Sequence, residues 1–202
     1  MYVYRAAGAS DEEAQQRAEA IVRTISRLTE DMRVPLDLDL GLRPEGRNGA
    51  IVRSLESYRA YYERWSLTWE AQALLRARIV VGDRSVLAAW EELVNDVRYP
   101  ETIAEQDIRE IKRIKARVEA ERLPQAADPA RHLKLGRGSL SDVEWFVQLL
   151  QLEHGAKVEG LRTTSTLGAL AAAEREGLVT TADAARLHNA WMLASRARSG
   201  MT

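Results

Sequence analysis

Leu36-Asp37-Leu38-Asp39-Leu40-Gly41-Leu42 runs directly into Arg43-Pro44-Glu45-Gly46-Arg47-Asn48-Gly49, and the change of pattern between these halves decides the fold class. The first half alternates apolar and polar positions strictly, the two-residue period of a strand with one apolar face. The second half carries Pro44, Gly46 and Asn48-Gly49, residues of turns and loops. Upstream, Met1-Tyr2-Val3-Tyr4 is β-like from its first residue. Ser10 and Glu13 have capping-box spacing, and Ala14, Ala18, Ile21, Val22, Ile25, Leu28 and Met32 then form one helical stripe that Pro35 ends. Downstream, the period is helical almost to the end. The spacing predicts helices over 54–78, 85–97, 103–122, 141–154, 166–176 and 181–199, with a Pro- and Gly-containing connection over 123–140. A strand fragment with one helix, followed by a run of helices, is an α+β, mostly helical fold.

Composition removes several classes of function. The chain has 202 residues, 29 basic against 30 acidic, for a formal net charge of -1. The charges balance in both halves, so no basic arm points to nucleic acid. Cysteine is absent, which excludes disulfides, thiol nucleophiles and cysteine-ligated metals. His132, His154 and His188 lack the H-E-x-x-H spacing of a zinc hydrolase. No apolar run approaches a membrane span and no signal-peptide layout opens the chain, so the expected location is cytoplasmic. The strand-like first residues and the helical spacing kept to the last ones read as cut ends, as of a piece of a longer protein.

Four constellations could carry chemistry. Asp37 and Asp39 leave the same strand face about 7 Å apart, a mount for Mg²⁺ or simply an acidic solvated face. Arg43 and Arg47 flank flexible backbone and could grip a polyphosphate, or belong to an ordinary polar turn. Lys134, Gly136, Arg137 and Gly138 lead into a helix opened by Ser141, Asp142 and Glu144, a place that welcomes anions, although the two acids could serve only as caps. The charged helix 103–122 and the aromatic cluster of residues 58–69 read as a solvated face and as core.

In this order the pieces resemble the glutamine-synthetase adenylyltransferases, the bifunctional adenylyltransferase/adenylyl-removing enzymes, in the C-terminal adenylylating half of the actinobacterial type. The matching residues are Asp39 to Gly49, Trp69-Glu70-Ala71-Gln72-Ala73-Leu74-Leu75-Arg76-Ala77-Arg78, Lys134 to Trp145 with Val147-Gln148, and Arg162-Thr163-Thr164-Ser165-Thr166-Leu167. The resemblance implies part of a DNA-polymerase-β-like nucleotidyltransferase core over residues 1–83 and a helical-bundle domain over 84–202. It implies transfer of AMP from ATP, with Mg²⁺ or Mn²⁺, to a tyrosine of glutamine synthetase, with PII signal protein and glutamine as effectors of the full-length enzyme.

In such a site Asp39 matches the third metal-binding carboxylate and is the catalytic candidate, while Asp37 lies outside the fixed pattern and has a weaker role. Arg43, Arg47, Lys134 and Arg137 are the nucleotide-binding candidates. Two departures matter. Gly-Ser-Asp-x-Asp, which holds the family's first two carboxylates, is absent from these residues. The family carries it just before the segment matching Met1 to Arg5, so the chain alone is expected to be inactive. Ser139 stands where the family usually has a second glycine, adding a Cβ where a phosphate cradle needs free backbone. The rival reading is a non-catalytic helical module that docks glutamine synthetase, PII or glutamine. Uridylylation of PII by a sister family fits the motifs less well.

Overall fold

Ser10 opens the first helix as its spacing requires: Glu13 N donates to Ser10 Oγ at 3.3 Å, and Ser10 N donates to the Glu13 carboxylate at 3.4 Å. The computed structural model describes residues 1–6, 8–29, 41 and 43–200. Strand β1 (Tyr2–Tyr4) is followed by α1 (Asp11–Thr29), and a 3₁₀ turn at Gly46–Asn48 leads into β2 (Val52–Ser54). The helices α2 (Leu55–Trp65), α3 (Thr68–Leu74), α4 (Arg84–Arg98), α5 (Glu105–Arg122), α6 (Leu140–His154), α7 (Thr166–Arg175) and α8 (Thr181–Ser199) complete the order. The fold is α+β and mostly helical, as the periodicity predicts.

β1 and β2 pair in parallel, with Tyr2 opposite Val52, Val3 opposite Arg53 and Tyr4 opposite Ser54. A parallel pair needs a long connection, and α1 lies within it. Pattern alone does not announce β2, because three residues between a turn and a helix carry too little alternation to read. The helix predicted over 54–78 is two helices. Glu70 turns its carboxylate back to accept the Leu67 amide at 2.9 Å and starts α3 afresh. The strand predicted over 36–42, with Asp37 and Asp39, falls on residues 36–40 and 42, which lie outside the described residues.

The chain forms two units. The first holds Met1–Ser66 and Ile79–Asn95. Its core is built on Val22, Val52, Leu55, Tyr58, Tyr62, Leu93 and Val94, all buried. Tyr58 meets Trp90 edge-on with ring centroids 4.7 Å apart and stacks with Tyr62 at 6.2 Å. The aromatic cluster is core only in part: Tyr58 and Tyr62 are buried, whereas Trp65 is 61% exposed. The second unit holds Leu67–Arg78 and Asp96–Thr202. One core packs Val143, Val147 and Leu150 of α6 against Leu161, Ala169, Leu170 and Ala173. Another gathers Ala71, Leu75, Tyr99, Ile111 and Leu152. Ile111 is the buried face of the charged α5, whose other side is solvated as its pattern predicts.

Candidate functional site

In the first unit the residues that follow the Asp37–Asp39 segment form a closed turn. Glu45 has φ 62° and Gly46 φ 57°, two consecutive left-handed residues, the first of them not a glycine. Gly46 N donates to Arg43 O at 2.8 Å and Gly49 N to Gly46 O at 3.2 Å. A Cβ at Gly49 would lie 2.0 Å from the Pro44 carbonyl oxygen, so only glycine closes this corner. The Arg43 guanidinium braces the turn from inside, donating through Nε to Gly49 O and through Nη2 to Arg47 O, each at 3.0 Å. Arg47 is exposed. Two of the four nucleotide-binding candidates therefore share one turn, in which Arg43 shapes the backbone and Arg47 is presented. Arg53 reaches the same turn from β2 and pairs with the Glu45 carboxylate. Burial and nearby charge oppose each other at Tyr58: burial pushes its phenol up to about 12 although Arg53 and Arg43 pull it down.

In the second unit the loop before α6 folds on itself. Leu135 N donates to His132 Nδ1 at 2.9 Å, and Gly136 N to His132 O at 2.8 Å. Leu140 N and Ser141 N donate to the Leu133 and Lys134 carbonyls at 3.2 and 3.1 Å. The side chains of Lys134 and Arg137 are exposed on this loop. The capping box expected from Ser141 and Glu144 does not form, because the Lys134 carbonyl already takes the Ser141 amide and the Glu144 carboxylate turns to Arg76. α6 starts at Leu140 instead, and Glu144 pairs with Arg76, Oε1 to Nε at 3.3 Å. Asp142 accepts the Gly138 amide at 2.6 Å and the Lys115 ammonium, which Glu119 also holds. Burial pushes the Asp142 carboxyl up, but Lys115 and the Gly138 amide outweigh it and hold the group below the usual carboxylate range.

What spacing alone does not reveal is a brace joining three of the sequence motifs. Gln72 Nε2 donates to Gln148 Oε1 at 2.7 Å, with both side chains buried. Gln151 Nε2 donates to the Leu161 and Thr163 carbonyls at 2.7 Å. Arg76 Nη1 donates to Thr164 O and to Thr166 Oγ1, each at 2.7 Å. Arg162 holds the Gly155 and Ala156 carbonyls at 2.7 Å and lies 5.5 Å from the Tyr99 ring centre. Ser165 caps α7 by accepting the Gly168 amide at 3.1 Å. The only sequence signal for this brace is the presence of uncharged polar residues, Gln72, Gln148 and Gln151, at positions where the helical stripe is otherwise buried.

Among the described residues no three His, Asp or Glu side chains converge as a metal centre, and the neighbouring carboxylates Asp142 and Glu119 already share Lys115. They do not fit a divalent cation. Asp37 and Asp39 lie outside the described residues. No helix among those described is long and apolar enough to cross a membrane.

Fold and turn define an α+β, mostly helical protein with an arginine-braced Arg-Pro-x-Gly-Arg-Asn-Gly corner. Residues 5–93 match the family model described as glutamate-ammonia ligase adenylyltransferase, and residues 107–201 match that of GlnD PII-uridylyltransferase. The chain is 65% identical over all 202 residues to a bifunctional glutamine synthetase adenylyltransferase/adenylyl-removing enzyme of Leifsonia xyli, of which it covers 20%. It is 54% identical over 197 residues to the enzyme of the same name from Streptomyces avermitilis, and 48% over 199 residues to that of Mycobacterium bovis, covering 20% of each. Along its whole length the chain is similar to the glutamine synthetase adenylyltransferases, and it spans about a fifth of the length of these curated relatives.

Proposed function

We propose that this chain is part of a nucleotidyltransferase that moves AMP from ATP to a tyrosine of glutamine synthetase and so regulates nitrogen assimilation. The observation that carries the reading is 65% identity along the entire chain to an enzyme with that name. The residues proposed for the reaction are Asp39 as the carboxylate for the catalytic cation, with Asp37 in a weaker role, and Arg43, Arg47, Lys134 and Arg137 as nucleotide contacts. When bound, Mg²⁺ or Mn²⁺ neutralises the triphosphate and aligns it for attack by the tyrosine hydroxyl. Arg47 offers a bidentate donor to a phosphate, and Arg43 sets the backbone that carries it. The proposed organisation is part of a polymerase-β-like core over residues 1–83 and a helical domain over 84–202. Cytoplasmic location and control by PII protein and glutamine belong to the same proposal.

A single carboxylate of the family triad stands in these residues, and affinity for a hard cation follows ligand number. The 202 residues alone are therefore proposed to transfer no AMP. The test uses ATP labelled at its α-phosphate, Mg²⁺ and glutamine synthetase. It compares this chain with a protein extended upstream to include Gly-Ser-Asp-x-Asp, and with that protein carrying Asp39→Asn. Label transfer by the extended form alone, lost on Asp39→Asn, is the expected result. A silent extended form, or an unchanged Asp39→Asn, overturns the assignment and favours a non-catalytic docking role.

A further inference from the structure

Glu45 holds a backbone conformation that non-glycine residues avoid, and such a residue persists only where its surroundings over-determine it. Two arginines do this from opposite sides. Arg43 fixes the carbonyls of Arg47 and Gly49 from within the turn. Arg53 fixes the Glu45 carboxylate from outside it, and also donates to Ser57 Oγ at 3.5 Å. Arg53 is well placed to act as an anchor. Its backbone is the middle position of β2, in register with Val3, and its guanidinium lies 5.6 Å from the Tyr61 ring centre. Its side chain is only 14% exposed, against 57% for Glu45, so the ordered partner restrains the freer one. Arg47 is exposed on the same turn and is its solvent-facing cation.

We propose that Arg53 is a positioning residue for nucleotide transfer: acting through Glu45, it locks the Arg43–Gly49 turn in the conformation that presents Arg47 to the phosphates of the nucleotide. This rests on the nucleotidyltransferase reading above. Arg53 itself touches no substrate. A planar guanidinium on a carboxylate fixes direction as well as charge, which lysine does not reproduce.

The experiment measures AMP transfer by the full-length protein that carries this chain, with Glu45→Gln, Arg53→Lys, Arg53→Ala, Arg47→Gln and the double variant Arg53→Ala/Glu45→Gln. Glu45→Gln keeps the shape of a half-exposed side chain, so the protein still folds. Loss of the lock raises KM for ATP about tenfold, in the range of residues that orient a binding group, with a smaller change in kcat. Arg53→Lys falls between the parent and Arg53→Ala, and the double variant is no worse than Arg53→Ala. Hydrogen exchange at the Gly46, Asn48 and Gly49 amides speeds up in Glu45→Gln while the melting temperature is unchanged. Unchanged KM in Glu45→Gln and Arg53→Lys, or additive losses in the double variant, overturns the proposal and leaves the function reading intact. A parent protein that transfers no AMP overturns the function reading itself, and with it the role of the lock in catalysis.

Discussion

Gln72 and Gln148, 76 residues apart in sequence, meet amide to amide at 2.7 Å between α3 and α6. Each is at least 93% buried, so neither amide can exchange its partner for bulk water. Gln148→Ala is expected to lower unfolding stability by about 1–3 kcal/mol, because Gln72 keeps its polar group and loses its partner. Replacing both residues by leucine removes the need for the bond and should cost less than either single change to alanine. Denaturant unfolding of the two variants checks the order; a double leucine variant less stable than Gln148→Ala would show that the pair has no role as a mutual satisfier.

Arg76 is the fastener of the same brace, bonded to Thr164 O and Thr166 Oγ1 and paired with Glu144. Its side chain is 39% exposed, which weakens the ion pair but not the hydrogen bond to a backbone carbonyl. Arg76→Lys keeps charge and loses the fork, and a cost of about 1 kcal/mol is expected. Glu144→Gln should cost less than Arg76→Lys. Thermal unfolding of the two variants in parallel decides the ranking, and the reverse order would make the ion pair the main contact.

Asp142 gives a pH signature. Its folded pKa is held below the unfolded value of about 3.9, so its contribution is present above that value and lost as pH falls through the folded pKa. Lys115 has its pKa raised: burial lowers it, but Asp142 and Glu119 more than compensate. Its contribution is full below about 10.4 and lost as pH rises through the folded value. Asp142→Asn should therefore cost about 1 kcal/mol at neutral pH and nothing once the carboxylate of the parent is protonated. Stability measured from neutral pH down to about 2 checks this; a gap between parent and variant that stays constant with pH refutes the linkage.

Local chemistry made much of the fold legible. Thr181–Ser199 was readable from its helical spacing, and the structure supplies the cap, Thr180 accepting the Asp183 amide at 3.1 Å. Ser10 and Glu13 announced α1. β2 was not legible, because three residues become a strand only through pairing with β1, far away in sequence. Nor was the break at Leu67, where one glutamate side chain decides between a long helix and two short ones. The candidate site divides similarly. Sequence marked Arg43 and Arg47 as cations beside a turn, but only geometry shows that Arg43 donates to the turn's own carbonyls while Arg47 faces solvent. The glutamines of the brace stand out only as polar residues in a buried stripe, and their pairing was not legible because side chains so distant in sequence leave no periodic trace.

Tyr58 offers the most direct test of the core beneath the turn. Its hydroxyl is buried and has no hydrogen-bond partner among the described residues, while its ring packs on Trp90 and Tyr62. Removing an unsatisfied polar atom and keeping the ring should leave stability unchanged or raise it by up to about 1 kcal/mol, so Tyr58→Phe is expected to melt no lower than the parent. The same burial pushes the phenol pKa up to about 12 against about 10 when unfolded. Between those values the unfolded chain gives up the proton first, so the stability contributed by a neutral Tyr58 is complete below pH 10 and declines as pH climbs through 12. Phenolate absorbance, taken as the difference between parent and Tyr58→Phe, reads this titration directly. A Tyr58 that ionises near 10 in the folded protein, or a phenylalanine variant that melts well below the parent, would mean the hydroxyl has a partner and the core under the turn is wetter than its packing implies.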